Sequence, residues 1–223
     1  MEKEKFDLLI FEGIDGSGKT TLMNNFKKEL ENGNTEYEYF PTFVTSDEIP
    51  HVREFLSTNL NIDSDIRRLI LRSLFVAGEI NLCDEHGFFY EKTKDHNPSK
   101  TLILMDRFFP SLIYNVGMDE YKVLEKIIVD KLQKFCNVYC VYCYCDPSVA
   151  MKRIQSRNNT VKDYFETEDR LRYALIRFNI LFGDEFPERP FNFIEIDTGY
   201  YDEKKSVEIL KTELAYLTKK KGE

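Results

Sequence analysis

The chain has 223 residues, with 39 acidic against 31 basic side chains, a net charge of -8 at neutral pH and an apolar share of 42%. That length and apolar share suit one α/β domain carrying a small lid. The acidic balance, with no stretch rich in Lys or Arg apart from the tail Lys219-Lys220-Lys221, argues against a nucleic-acid groove. The first residues, Met1-Glu2-Lys3-Glu4-Lys5, are charged and lack the apolar run of a secretory signal. Phe6–Phe11 then reads as a buried strand, followed by Gly13-Ile14-Asp15-Gly16-Ser17-Gly18-Lys19-Thr20 and an amphipathic helix with Leu22, Met23, Phe26 and Leu30 on one face. A second strand is predicted at Tyr37–Phe40. A helical region follows with Val52, Phe55 and Leu56, then a longer periodic stretch from Ile66 to Leu82 that Asp63 or Ser64 can cap. Glu91–Lys100 is polar and contains Asn97-Pro98, so it reads as a loop. Strands at Thr101–Met105, Val138–Cys145 and Phe191–Ile196 alternate with helices at Tyr121–Phe135, Pro147–Arg157, Glu166–Phe182 and Glu203–Lys219. No apolar run is long enough to span a bilayer, so a cytoplasmic protein without a membrane partner is expected.

Strands alternating with helices predict an α/β fold with a parallel five-stranded sheet flanked by helices. In such a sheet ligands sit beyond the carboxyl ends of the strands. Residues just after a predicted strand are therefore the first functional candidates. The run Gly13 to Thr20 is one of them and fits G-x-x-x-x-G-K-[ST]. Gly13, Gly16 and Gly18 let the backbone curl so that N–H groups point inward at a phosphate. The helix N-terminus beyond adds its positive dipole end. Lys19 is placed to reach the β- and γ-phosphates of a bound nucleotide, and the Thr20 hydroxyl to hold Mg²⁺. This predicts a P-loop NTPase fold.

The second candidate is Asp106-Arg107, directly after the apolar run Leu102-Ile103-Leu104-Met105. A carboxylate at that rim orders Mg²⁺, and the arginine fork beside it suits bidentate phosphate binding. Alone, the pair would read as a strand-end salt bridge; beside a P-loop, the functional reading is favoured. The third is the basic helix end running from Arg153 through Arg157 into a polar loop with Lys162. Arg153 and Arg157 are expected one turn apart on one face. A phosphoryl-transfer enzyme needs a cationic lid of this kind, here about 153–166. Cys136, Cys140, Cys143 and Cys145 lie close together, but Cys140 and Cys143 are expected on opposite faces of one strand. They read as core thiols in a reducing compartment rather than a metal site. The three histidines show no ligand spacing.

The run Phe11-Glu12-Gly13-Ile14-Asp15-Gly16-Ser17-Gly18-Lys19-Thr20-Thr21, followed by Asp106-Arg107-Phe108 with Ser111 and Tyr114-Asn115, resembles the thymidylate kinases, which are P-loop nucleoside monophosphate kinases. Leu74-Phe75-Val76-Ala77 resembles that family's base-stacking helix. Arg153-x-x-x-Arg157 with Asp163-x-x-Glu166 resembles its lid. Ile196-Asp197-Thr198-Gly199 resembles the strand end holding the ATP adenine. The resemblance runs over almost the whole chain, and the Asp-Arg-Phe block is far more specific than the P-loop. It implies one kinase domain over residues 1–223. Gly13, Gly16, Ser17, Gly18, Lys19, Thr20 and Thr21 would bind the ATP phosphates and Mg²⁺, with Thr20 and Asp106 at the metal. Asp15 would lie near the acceptor's 3′-OH and phosphate, and Arg107 would grip that phosphate. Phe40 and Pro41 would flank the acceptor, Phe75 would stack on its base, and Ser111, Tyr114 and Asn115 would line its pocket. Tyr164 or Phe165 would abut C2′ of the sugar. Arg153, Arg157 and Lys162 would supply the lid charge that family members with glycine at the Gly16 position use. A homodimer is the family's usual state.

The chain departs from the family's pattern at four places, one of them the loop Glu91–Lys100, which is longer than typical. Thr42 and Phe43 follow Pro41 where the family has an arginine. Glu79 stands where an arginine normally reads the thymine edge, with Arg72 on the same helical face as a possible substitute donor. Asn115 stands where glutamine is usual. The activity implied is transfer of the ATP γ-phosphoryl group to dTMP. Alternatives are another or broader deoxynucleotide acceptor, a nucleoside kinase, or a non-catalytic nucleotide-binding protein. Arg107 weighs against a nucleoside acceptor, and the lid cations weigh against the non-catalytic reading.

Overall fold

The computed structural model describes residues 4–40, 83, 88–114, 116–157, 167–183 and 189–219. The first strand, Phe6–Glu12 (β1), is apolar along most of its length, and Leu8, Leu9, Ile10 and Phe11 are wholly buried. Burial on both faces is what a central parallel strand requires, and each such side chain contributes about 1.5–3 kcal/mol. The other strands are Glu36–Phe40 (β2), Thr101–Asp106 (β3), Cys136–Tyr144 (β4) and Asn192–Asp197 (β5). They form one sheet in the order β2-β3-β1-β4-β5, and every pairing is parallel. The chain leaves β1 for the edge strand β2, returns to β3 beside β1, and then crosses to β4 on the other side of β1. The crevice between the carboxyl ends of β1 and β3 is therefore the topological switch point where ligands bind.

Helices cover both faces. Lys19–Asn32 (α1) and Glu203–Lys219 (α6) pack Leu22, Met23, Phe26, Val207 and Leu210 against Leu9, Phe11, Val141, Cys143 and Ile196. The opposite face carries Phe88–Thr93 (α2), a 3₁₀ helix at Phe109–Tyr114, Met118–Leu132 (α3), Pro147–Ser156 (α4) and Glu168–Phe182 (α5). Their Phe89, Phe109, Ile128, Val129 and Phe178 pack with Leu8, Ile10, Ile103, Cys140 and Tyr142. Cys140 and Cys143 thus lie on opposite faces of β4, as the strand period of two demands. All five cysteines are free and buried.

The expected elements are present with shifted ends. The segment Glu91–Lys100, expected to be a loop, is helical as far as Thr93, whose hydroxyl donates to Phe89 O at 2.7 Å. Beyond it, Asn97 accepts from the Ser99 backbone and hydroxyl and turns the chain into β3. α3 starts at Met118 rather than Tyr121, because Glu120 accepts from the Gly117 N–H at 2.8 Å and closes the first turn. β4 begins two residues early at Cys136, where Phe6 opens the β1 ladder. α4 has Pro147 at its first turn, with Asp146 accepting from Ser148 N at 2.7 Å. The helical region expected between Val52 and Leu82 lies outside the described residues.

Candidate active site

β1 ends at Glu12, and the turn into α1 is built by glycine sterics. Gly13 has φ 144°, and a Cβ there would sit 2.1 Å from the Cys143 carbonyl oxygen on β4. Gly16 has φ 79°, and its Cβ would meet the Ala150 carbonyl of α4 at 2.5 Å. Only residues without a side chain let the loop lie this close to its neighbours. The Ser17 N–H donates to Ile14 O at 3.1 Å, and the Lys19 ammonium donates to the same carbonyl at 3.0 Å. Lys19 thereby crosses the inside of the loop. Burial, followed by repulsion from Arg107, depresses its pKa to about 8, although Asp15, Asp106 and Glu12 pull the other way. Ser17 Oγ is buried with no hydrogen-bond partner among the described residues. Thr20 and Thr21 stand exposed in the first turn of α1.

The loop is fastened from behind. The Thr198 hydroxyl donates to the Ser17 carbonyl, and the Thr198 N–H donates to Tyr144 O at 3.0 Å. Arg153 donates to Gly16 O at 3.3 Å and to Thr198 O at 2.7 Å. One guanidinium therefore joins the P-loop to the turn after β5. In that turn the Asp197 carboxylate accepts from the N–H groups of Gly199 and Tyr200, both at 2.9 Å.

Facing the loop across the switch point is a charged cluster from β1, β3 and the 3₁₀ helix. Asp106 ends β3 directly beside Phe11. The next residue, Arg107, donates its N–H to Phe11 O at 3.0 Å and adopts φ 61°. A side-chain-bearing residue in this left-handed region costs roughly 1–2 kcal/mol, and such strain collects where a side chain must be aimed. Here the turn sends the Arg107 guanidinium onto Asp15, in a direct ion pair, and to within 3.4 Å of Ser111 Oγ. Burial by itself would raise the Asp15 carboxyl, but Arg107 and Lys19 together hold it below the usual range. Glu12 sits beneath the cluster, fully buried. It accepts from the Phe108 N–H and the Ser111 hydroxyl, both at 2.8 Å, and lies 4.0 Å from Arg107. Burial pushes its pKa up, and Arg107 only partly opposes this. The buried Tyr114 hydroxyl has no hydrogen-bond partner among the described residues. Burial raises its pKa well above 10, so it remains a neutral donor, and the charges of Arg107, Glu12 and Asp15 all reach it.

Such an arrangement can bind two anions side by side: one in a backbone cradle, the other on a fixed guanidinium. A family model, described as thymidylate kinase, matches residues 11–198 and so takes in both halves of this site. The chain belongs to the thymidylate kinase family. It is similar to a probable thymidylate kinase of Methanocaldococcus jannaschii, at 30% identity over 92% of both chains. It is also similar to a thymidylate kinase of Leptospira borgpetersenii, at 28% identity over 83% of this chain and 85% of that one. A third relative is a thymidylate kinase of Mycoplasma capricolum, at 27% identity over 72% of this chain and 73% of that one.

Of the residues that sequence reasoning assigns to a thymidylate kinase site, the fold gathers Gly13, Asp15, Gly16, Ser17, Gly18, Lys19, Thr20, Thr21, Asp106, Arg107 and Ser111 around the switch point, with Tyr114 beside them. Phe40 is buried at the end of β2 and packs on Phe89 at 4.7 Å between ring centres, so it forms a wall rather than a free face. Thr198 is buried behind the P-loop, whereas Gly199 occupies the turn. The expectation that Arg153 and Arg157 share one helical face needs correction. α4 stops at Ser156, Arg157 is already extended, and Arg153 is turned inward onto two carbonyls. Pro41, Arg72, Phe75, Glu79, Asn115, Lys162, Tyr164 and Phe165 lie outside the described residues.

The family motif includes Glu12 without implying a role for it. Its signal is present in the sequence as a carboxylate ending the apolar run Leu8-Leu9-Ile10-Phe11. Its partners Phe108 and Ser111 are 96 and 99 residues distant, which no local pattern reveals.

Proposed function

We propose that this protein transfers the γ-phosphoryl group of ATP to the phosphate of dTMP, giving dTDP and ADP. Membership of a kinase family supports phosphoryl transfer as the reaction class, and the relatives' names support dTMP as acceptor. The observation that carries the reading is the partly buried Arg107 guanidinium, aimed by a strained backbone onto Asp15 beside the P-loop. A nucleotide switch or a simple ATPase has no use for a second, fixed anion clamp there.

The donor phosphates would lie in the Gly13–Thr20 cradle, with Lys19 released from Ile14 O to meet them. Arg107 would bind the acceptor phosphate in place of part of its contact with Asp15, leaving Asp15 to face the sugar 3′-OH. That phosphate is already anionic near neutral pH, so no strong protein base is required. Catalysis is positioning plus charge neutralisation. The Thr20 hydroxyl and the Asp106 carboxylate are hard oxygen donors at the two sides of the cradle. They suit Mg²⁺, which takes few protein ligands and completes its shell with phosphates and water. When bound, Mg²⁺ neutralises charge between the β- and γ-phosphates. Arg157 and Lys162 would bring further positive charge from the lid, and Arg153 would hold the loop in shape. Tyr114, with Asn115, Phe75, Glu79 and Arg72, would contact the nucleoside, Tyr164 or Phe165 would exclude a ribose 2′-OH, and the Gly199 turn would meet adenine.

A cytoplasmic location and a homodimeric state complete the reading. Five free thiols suit a reducing compartment, and no helix among the described residues is long and apolar enough to cross a membrane. The test is a coupled ADP-release assay with dTMP, dUMP, dCMP, dGMP and thymidine as acceptors. ADP release that depends on dTMP, with dTDP as product, is expected. ADP release without any acceptor, or with thymidine alone, would overturn the assignment.

A further inference from the structure

The 3₁₀ helix Phe109–Tyr114 carries Ser111 and Tyr114 to the acceptor side of the site. A helix this short leaves its last carbonyls without intrahelical partners. Two nearby carbonyls are taken by one side chain from another element. Arg177 on α5 donates to Ile113 O through Nε at 3.1 Å and Nη2 at 2.9 Å, and through Nη2 to Val116 O at 2.6 Å. The planar fork thus spans the chain on both sides of Tyr114 and residue 115. The next residue of α5, Phe178, meets the Tyr114 ring edge-on at 4.8 Å between centres. Phe178 is itself fixed in the core against Tyr142 and Phe182. One step of α5 therefore holds both the main chain and the ring of Tyr114.

What is held matters for chemistry. The Tyr114 hydroxyl is buried, has no partner among the described residues, and lies within the field of Arg107, Asp15 and Glu12. An unsatisfied buried donor costs free energy unless a ligand completes it. Among the described residues, the hydrogen bonds of the Arg177 guanidinium all go to backbone carbonyls.

We infer that Arg177 is a positioning residue for the acceptor: by bridging the Ile113 and Val116 carbonyls it sets where Tyr114 stands, and so governs acceptor affinity without touching ATP or either phosphate. This rests on the kinase reading above. A lysine at 177 would keep the charge and reach one carbonyl, but cannot bridge two with a planar fork.

The experiment compares wild type, Arg177→Lys and Arg177→Met by steady-state kinetics with dTMP and ATP varied separately, by direct calorimetric binding of dTMP, and by amide hydrogen exchange over residues 109–117. In Arg177→Met the acceptor KM and Kd should rise about tenfold, the effect of losing one charge-assisted hydrogen bond. The ATP KM should stay within about twofold, and exchange should quicken at 109–117 but not in the P-loop. Arg177→Lys should fall between the two and keeps the test open if the methionine variant folds poorly. Acceptor and ATP constants moving together, or a lower Tm with unchanged acceptor binding, would overturn the inference and make Arg177 a structural cap. A wild-type protein that phosphorylates no nucleoside monophosphate would overturn the kinase reading and this inference with it.

Discussion

The half proposed to hold the donor and the half proposed to hold the acceptor are built from different materials. The P-loop is main chain: glycines against carbonyls, fastened by Thr198 and Arg153 through the carbonyls of Gly16 and Ser17. The acceptor half is side chain: Arg107, Asp15, Glu12, Ser111 and Tyr114 arranged around compensating charges. A backbone cradle accepts any polyphosphate and tolerates no change of shape. A side-chain cluster can be retuned residue by residue, and its cost is paired buried charge. On the proposed reading, substrate choice would therefore reside on the acceptor side, whereas foldability and the chemical step would depend on the donor side.

If that division is real, damage to the loop's shape should be the most severe. Gly13→Ala would place a methyl 2.1 Å from the Cys143 carbonyl at a φ of 144°. It should destabilise the fold by about 3 kcal/mol or more, read from denaturant unfolding. A variant with wild-type stability would show that Gly13 does not lie against the Cys143 carbonyl as described. Lys19→Ala removes transition-state charge rather than shape. It should lower kcat by about 10²–10³-fold with the acceptor KM little changed. Near-normal turnover would dismiss Lys19 from the chemistry.

The depressed Lys19 pKa gives a smaller and more specific effect. The free protein loses this proton as pH rises through about 8, while a bound phosphate favours the charged form. ATP binding above pH 8 should therefore take up a proton and weaken by up to about tenfold per pH unit. Calorimetry in buffers of different ionisation enthalpy measures that uptake directly, and none at pH 8.5 would contradict it. For stability the sign is the opposite. Between about 8 and the ordinary 10.5 the unfolded chain binds more protons than the folded one, so this group adds stability as pH rises through that window. Smallest is Thr198→Val, which leaves the Ser17 carbonyl without its hydroxyl donor. About 1 kcal/mol of stability should be lost, with ATP affected before the acceptor. A change confined to dTMP would break the comparison.

The donor half was legible because its signal is local. Strand, glycines, Lys19 and Thr20 are contiguous, and their spacing fixes their geometry. Asp106-Arg107 was legible because it ends an apolar run. The network behind these residues was not legible. Arg153 reads as a lid charge, since sequence shows a basic helix face but not the Gly16 and Thr198 carbonyls, 137 and 45 residues away, that it meets. Arg177 gave no signal at all, because its partners are main-chain atoms, which carry no sequence identity. Element ends moved where one tertiary or capping contact outweighed periodicity, as Glu120 does at the start of α3.

The claim that two halves bind two anions is tested most directly at Arg107. Arg107→Ala should raise the dTMP KM about a hundredfold, the loss of a bidentate charge-assisted contact, and leave the ATP KM within about threefold. Equal changes in both constants, or an unchanged dTMP KM in a folded variant, would contradict the account and return Arg107 to a structural partner of Asp15.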